Sequence, residues 1–157
     1  MDFNELAELI FPNTKDISYY EEKYPERNLP EGAVVTRFAP SPTGFVHIGG
    51  IYQSLIARLM TKDQGVFFVR IEDTDQKREV EGGTKQIIDA LYDFDLAPNE
   101  YVDENDVDHG EYGPYKQSLR KEIYHSYAKK LLEEGNTELK ELREILRTNA
   151  NLAYSID

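Results

Sequence analysis

The order of patterns between residues 32 and 71 constrains this chain more than any other feature. Ala33–Ala39 (AVVTRFA) is a β-rich run closed off by Gly32 and Pro40, which predicts a short buried strand. PSPTGFVHIGG, residues 40–50, is too rich in Pro and Gly for either regular element and reads as a loop. From Ile51 the apolar residues recur four apart, at Ile51, Leu55 and Leu59, with Lys62 and Gly65 as an ending, so a helix is expected. Val66–Ile71 (VFFVRI) is a second strand, and Glu81–Phe94 a second helix through Ile87, Ile88 and Leu91. Strand, loop, helix, strand, helix is the order of a βαβ unit, hence an α/β fold with parallel strands under helical cover. Such sheets bind ligands at the carboxyl ends of their strands. The Pro/Gly loop lies at one of those ends and the acidic turn Glu72–Asp75 at the next.

The flanks are simpler. Phe3, Leu6, Leu9 and Ile10 have helical spacing and Pro12 stops them. Residues 12–33 read as a polar connection with a short helix around Ser18–Lys23 and no chemistry of their own. Ala97–Gly113 reads as an acidic loop; its EYVDENDVDHGE run lacks the glycine and the closing order of a calcium loop. Ser118–Glu134 is expected to be a helix with Leu119, Ile123, Tyr127 and Leu131 on one face, closed by Gly135-Asn136, and Thr137 caps a further helix over Glu138–Arg147. His109 and His125 are single histidines without chemical company. Three segments follow: a helical extension and linker (1–33), an α/β part (34–136) and a helical tail (137–157).

Composition excludes several classes. The 157 residues contain no cysteine, so thiolate nucleophiles, disulfides and Cys-ligated zinc are out. The start MDFNELAELIF is acidic where a signal peptide is basic, and no apolar run approaches a membrane span, which predicts a cytoplasmic protein with no membrane partner. A net charge of −12 argues against a generic nucleic-acid binder. The charge is uneven, however: residues 37–70 carry four bases against one acid.

Within that basic island, His47, Gly49 and Gly50 precede a helix. Free backbone N–H groups and the helix dipole favour phosphate there, glycines allow close approach, and a histidine can donate to a phosphoryl oxygen. The loop is neither GxxxxGK[ST] nor GxGxxG. In its context, TRFAPSPTGFVHIGG followed by VRIEDTDQKR and then GPYKQSLR, the chain resembles the glutamyl-tRNA synthetases, class I aminoacyl-tRNA synthetases, from about Val34 to Asn136. The resemblance implies the first half of a Rossmann-like parallel-sheet domain with an N-terminal helical extension. It makes Pro40, Ser41, Pro42, Thr43, Gly44, His47, Ile48, Gly49 and Gly50 the adenylate-site signature, with His47, Gly49, Gly50 and Arg78 serving ATP. Arg37 would pair with the glutamate side-chain carboxylate, for which a planar guanidinium fork is suited. Ser41 and Glu72 would hold its α-ammonium. Asp73 and Asp75 would fix the loop, and Tyr115, Gln117 and Arg120 would lie near the tRNA acceptor stem.

The implied reaction is ATP-dependent activation of L-glutamate and its transfer to tRNA(Glu), with Mg²⁺ carried by ATP, no zinc, no protein metal site and a monomeric protein. The sequence departs from the family in having no K-[ML]-S-K-[SR]-like loop, no Cys-containing segment after Asn136 and roughly a third of the family's length. It therefore reads as a truncated glutamate–tRNA ligase with little activity alone. Alternatives are the shorter paralogue that glutamylates queuosine in tRNA and a non-catalytic nucleotide-binding remnant.

Overall fold

The computed structural model describes residues 2–62 and 64–135. These form two compact units: Tyr24–Arg120, and helices drawn from residues 2–23 and 121–135. The tail helix expected over Glu138–Arg147 lies outside the described residues.

In the Tyr24–Arg120 unit, β1 (Val35–Phe38) and β2 (Val66–Val69) pair in parallel, Val35 opposite Val66 through Phe38 opposite Val69. The helix α3 (Ile48–Thr61) crosses between them. The ladder runs past the regular strands, with Arg70 N–H on Phe38 O at 3.0 Å and Glu72 N–H on Pro40 O at 2.8 Å. The other edge of β2 takes two short parallel pieces in turn. Val69 N–H donates to Glu100 O, then Ile71 N–H donates to Tyr115 O, each at 2.9 Å. The helix α4 (Gly83–Asp93) packs Ile87, Ile88 and Leu91 onto this sheet. Phe38, Ile51, Phe67, Val69, Ile71, Leu96, Val102 and Tyr115 complete one core. Each such fully buried apolar side chain contributes roughly 1.5–3 kcal/mol.

Three expectations change. First, α3 starts at Ile48 rather than Ile51 because His47 caps it, its Nδ1 accepting Gly49 N–H at 3.1 Å; histidine is not among the usual capping residues. Second, of the periodic residues Ile51, Leu55 and Leu59, only Ile51 is buried. Ile51, Ser54 and Thr61 are buried, whereas Leu59 is 63% exposed. The helix lies close to the sheet at its small residues, with Thr36 Oγ1 donating to Ala57 O at 3.0 Å. Third, Ala97–Gly113 is more than a loop. The short strands β3 (Tyr101–Val102) and β4 (Asp108–His109) pair antiparallel within it. Asp103 makes that turn by accepting from Asn105 N–H and Val107 N–H, and its Oδ2 lies 2.9 Å from His109 Nε2.

In the other unit, α1 (Phe3–Ile10), α2 (Ile17–Lys23) and α5 (Lys121–Glu133) pack together. A reciprocal Asp2–Glu5 capping box starts α1. Ala7 and Leu132 form the buried contact of α1 with α5, and Phe11 sits against His125 with ring centroids 5.2 Å apart. Residues 118–120 form a 3₁₀ turn before α5. Of the expected face of Leu119, Ile123, Tyr127 and Leu131, Ile123 is half-buried and the other three are exposed, while Ser126 and Leu132 are buried. Small residues again permit the close helix contact.

Candidate active site

The loop after β1 is anchored by its own carbonyls. Pro40 O accepts Glu72 N–H at 2.8 Å, and Pro42 O accepts Val80 N–H at 2.9 Å. Both donors lie beyond β2, so the PSPTG loop and the EDTD turn are stitched together at the carboxyl ends of the parallel strands. Pro42 is buried against the start of α4. A Cβ on Gly83 would stand 2.8 Å from Pro42 O, so only glycine permits this approach.

Of the residues anticipated from the sequence, the two bonds bring Pro40 to Glu72 and Pro42 to Val80, two positions past Arg78. Arg37 is an exposed residue of β1, one position before Phe38. Ser41 is exposed, and Thr43 and Gly44 are half-buried. Glu72 is half-buried, with Arg70 Nη2 at 3.8 Å from its Oε1. His47 is exposed. Because its Nδ1 accepts Gly49 N–H, its neutral ring carries the proton on Nε2, a donor that suits an anion. A Cβ on Gly49 would collide with the His47 ring at 2.8 Å, and Gly50 sits against the Phe38 ring. The two glycine amides are already engaged, Gly49 N–H with His47 Nδ1 and Gly50 N–H with His47 O at 2.9 Å. The helix start thus offers its dipole and the histidine more than a row of free amides. Arg78 is exposed and donates from Nε to Asp75 Oδ2 at 2.6 Å.

Asp73 and Asp75 fix the loop, as the sequence suggested. Asp73, 5% exposed, accepts Ser118 N–H at 2.8 Å on Oδ1 and the Ser118 hydroxyl at 2.6 Å on Oδ2. The GPYKQSLR element is turned inward. Tyr115 is 1% exposed and its hydroxyl donates to Glu100 Oε2 at 2.7 Å, so it has no face for RNA. Arg120 Nη1 donates to Pro114 O at 2.9 Å and Tyr112 O at 3.2 Å. Gln117 is half-buried, and its N–H donates to Ile71 O at 2.8 Å. The acceptor-stem contacts implied for this element give way, at Tyr115, to a structural role.

Sequence reasoning missed the partner of Tyr115. Arg27, in the supposedly inert connection, makes a two-pronged pair with Glu100 at 2.6 Å on each prong and lies 3.7 Å over the Tyr112 ring. Burial pushes the Glu100 carboxyl up, but the Arg27 fork and the Tyr115 hydroxyl outweigh it and hold Glu100 below the usual carboxylate value. Hydrogen bonding to Glu100 raises Arg27 further. Burial, then Glu100, raises the Tyr115 phenol. No local pattern marks a pair separated by 73 residues.

A βαβ unit with a loop into a helix start at its carboxyl edge defines an α/β protein of the kind in which ligands bind in the crevice above the parallel strands. The pattern of "tRNA synthetases class I (E and Q), catalytic domain" matches residues 33–148, and the chain belongs to that family. It is 53% identical over 137 residues to the glutamate–tRNA ligase of Clostridium beijerinckii, covering 86% of this chain and 25% of that protein. It is 47% identical over 166 residues to that of Acetivibrio thermocellus, covering 98% of this chain and 30% of the relative. A crystal structure of the glutamate–tRNA ligase of Elizabethkingia meningosepticum, in complex with its amino acid, superposes with a TM-score of 0.56 at 38% identity over 73% of this chain and 23% of that one. The chain thus spans about a quarter of the length of these relatives, somewhat less than the third expected.

Proposed function

We propose that this chain carries the glutamate- and ATP-facing half of the adenylate site of a glutamate–tRNA ligase, with little turnover by itself. The observation that carries this reading is the stitching of Pro40 O to Glu72 N–H and of Pro42 O to Val80 N–H, which brings the two signature segments to one rim. In the reaction, the α-carboxylate of L-glutamate attacks the α-phosphorus of ATP. The bond to the leaving pyrophosphate breaks, and glutamyl adenylate forms. A ribose hydroxyl at the 3′ end of tRNA(Glu) then attacks the acyl carbon, and AMP leaves.

Arg37 holds the side-chain carboxylate of glutamate through its fork, and Ser41 and Glu72 accept from the α-ammonium. His47 Nε2–H donates to phosphoryl oxygens as charge builds at phosphorus. Gly49 and Gly50 let the nucleotide approach the helix start, and Arg78 turns from Asp75 to the phosphates. Among the described residues no three His, Asp or Glu side chains gather to cage a metal. Mg²⁺ would come bound to ATP phosphates and water, neutralising their charge. Gln117 and Arg120 lie near the tRNA acceptor stem in this reading, while buried Tyr115 supports their segment through Glu100. The relatives named above are glutamate–tRNA ligases, which supports this reading over the queuosine-modifying paralogue. Among the described residues no helix is long and apolar enough to cross a membrane.

Calorimetric titration of the chain with a non-hydrolysable glutamyl-adenylate analogue tests the proposal, alongside glutamate-dependent ATP–pyrophosphate exchange. Binding of the analogue with exchange below about a hundredth of a full-length relative's rate is expected, since loss of even one charge-stabilising donor costs ~10²–10³ in rate. No binding would leave a remnant without a site. Full-rate exchange would refute the expectation of low turnover.

A further inference from the structure

We propose that Asp73 and Ser118 form a clasp that positions Glu72 for the substrate ammonium, which makes segment 115–118 a positioning element of the amino-acid site. The inference rests on the glutamate reading above. Glu72 is held from two sides. On one side its N–H donates to Pro40 O at 2.8 Å, tying it to the loop that bears Ser41. On the other, its neighbour Asp73 is buried, and both carboxylate oxygens are taken by Ser118, at 2.8 Å from the backbone N–H and 2.6 Å from the hydroxyl.

A buried carboxylate is tolerable only with such donors, and bonds to it are about twice as strong as neutral ones. Both donors belong to one residue, so a shift of segment 115–118 takes both away together. The register of that segment is set just before the clasp, by Ile71 N–H on Tyr115 O and Gln117 N–H on Ile71 O. Burial alternates here, Ile71 and Asp73 being buried while Arg70 and Glu72 are half-buried with their side chains 3.8 Å apart, as neighbouring side chains on opposite sides of a strand do. Drawing Asp73 inward onto Ser118 therefore turns Glu72 the other way, toward the rim, where it is half-buried. Tyr115 and its Glu100–Arg27 pair brace the segment from below. Thus a residue distant in sequence from both signature motifs governs where the ammonium acceptor sits.

The test uses the 157-residue chain and its Ser118→Ala and Ser118→Thr forms, with Asp73→Asn as a second way to open the clasp. Two readouts are needed: amide hydrogen exchange at Glu72, and NMR titration with L-glutamate and with glutarate, which lacks only the amino group. Ser118→Ala and Asp73→Asn are expected to speed exchange at Glu72 and weaken glutamate about tenfold, the size of a lost charge-assisted hydrogen bond. Glutarate affinity and exchange at Phe67 stay unchanged, and Ser118→Thr restores the wild-type values. Unaltered exchange at Glu72 in both opened forms, or equal weakening of glutamate and glutarate, would overturn the clasp. A wild-type chain that binds neither ligand would overturn the glutamate reading instead, and the exchange result alone would then uphold or overturn the positioning of Glu72.

Discussion

Arg37 belongs to the proposed glutamate site, whereas Glu100 belongs to the buried interior. Arg37 is exposed on β1 beside the rim. Arg37→Ala is expected to weaken glutamate about 10–100-fold, the value of a charged hydrogen-bonded pair, while ATP affinity holds. Arg37→Lys should recover only part of the loss, since an ammonium cannot reproduce the fork; calorimetry with each ligand measures both. Glu100 is buried and structural. Its carboxyl sits below the ordinary value of 4.5 in the fold, so its stabilisation is complete above that pH and fades as pH falls through the folded value. Wild type should therefore melt above Glu100→Gln at neutral pH, with the gap closing as the pH drops below 4.5. A gap constant across a series of melts down to acid pH would contradict this. Glu100→Ala strands the Arg27 charge and should cost about 3 kcal/mol.

Helices and loops were legible where local pattern decides them and illegible where a neighbour does. The Pro12 stop after α1 and the Ile87–Ile88–Leu91 face of α4 appear as read from the chain. The inward faces of α3 and α5 do not, because Ser54, Thr61 and Ser126 are buried on grounds of size rather than hydrophobicity. The start of α3 was missed because the cap is His47. His47→Ala removes that cap and should cost around 1 kcal/mol, a loss that thermal melts resolve. Gly83→Ala places a methyl 2.8 Å from a backbone oxygen of Pro42. It should cost about 1–3 kcal/mol by overpacking and displace the PSPTG loop, visible as shifted amide resonances at Ser41 and Thr43.

At the scale of the whole molecule, α3 presents apolar side chains outward: Ile48 is 76% and Tyr52 63% exposed, and Leu59 lies on the same side. Within the Tyr24–Arg120 unit this side of α3 is thus an exposed apolar patch among the described residues. Exposed patches of this kind bind dyes and promote association. A Tyr52→Glu, Leu59→Lys variant is expected to lose most fluorescence with an apolar dye and to resist aggregation. Stability should change by no more than about 0.5 kcal/mol per substitution, because neither side chain is packed. A large drop in melting temperature would show that these side chains are buried in solution.

By itself the sequence determined the βαβ order, the parallel sheet, the loop of the candidate site and the residues that resemble an adenylate signature. All of these are encoded in short windows of pattern, in which strand, turn and helix propensities act over a few residues. Only the tertiary structure decided what holds those residues in place. The Pro40–Glu72 and Pro42–Val80 bonds, the Asp73–Ser118 clasp and the Arg27–Glu100–Tyr115 cluster each join segments far apart in the chain. The physical reason is that a buried charge or amide needs its partner in space, and the chain's path through the sheet chooses that partner.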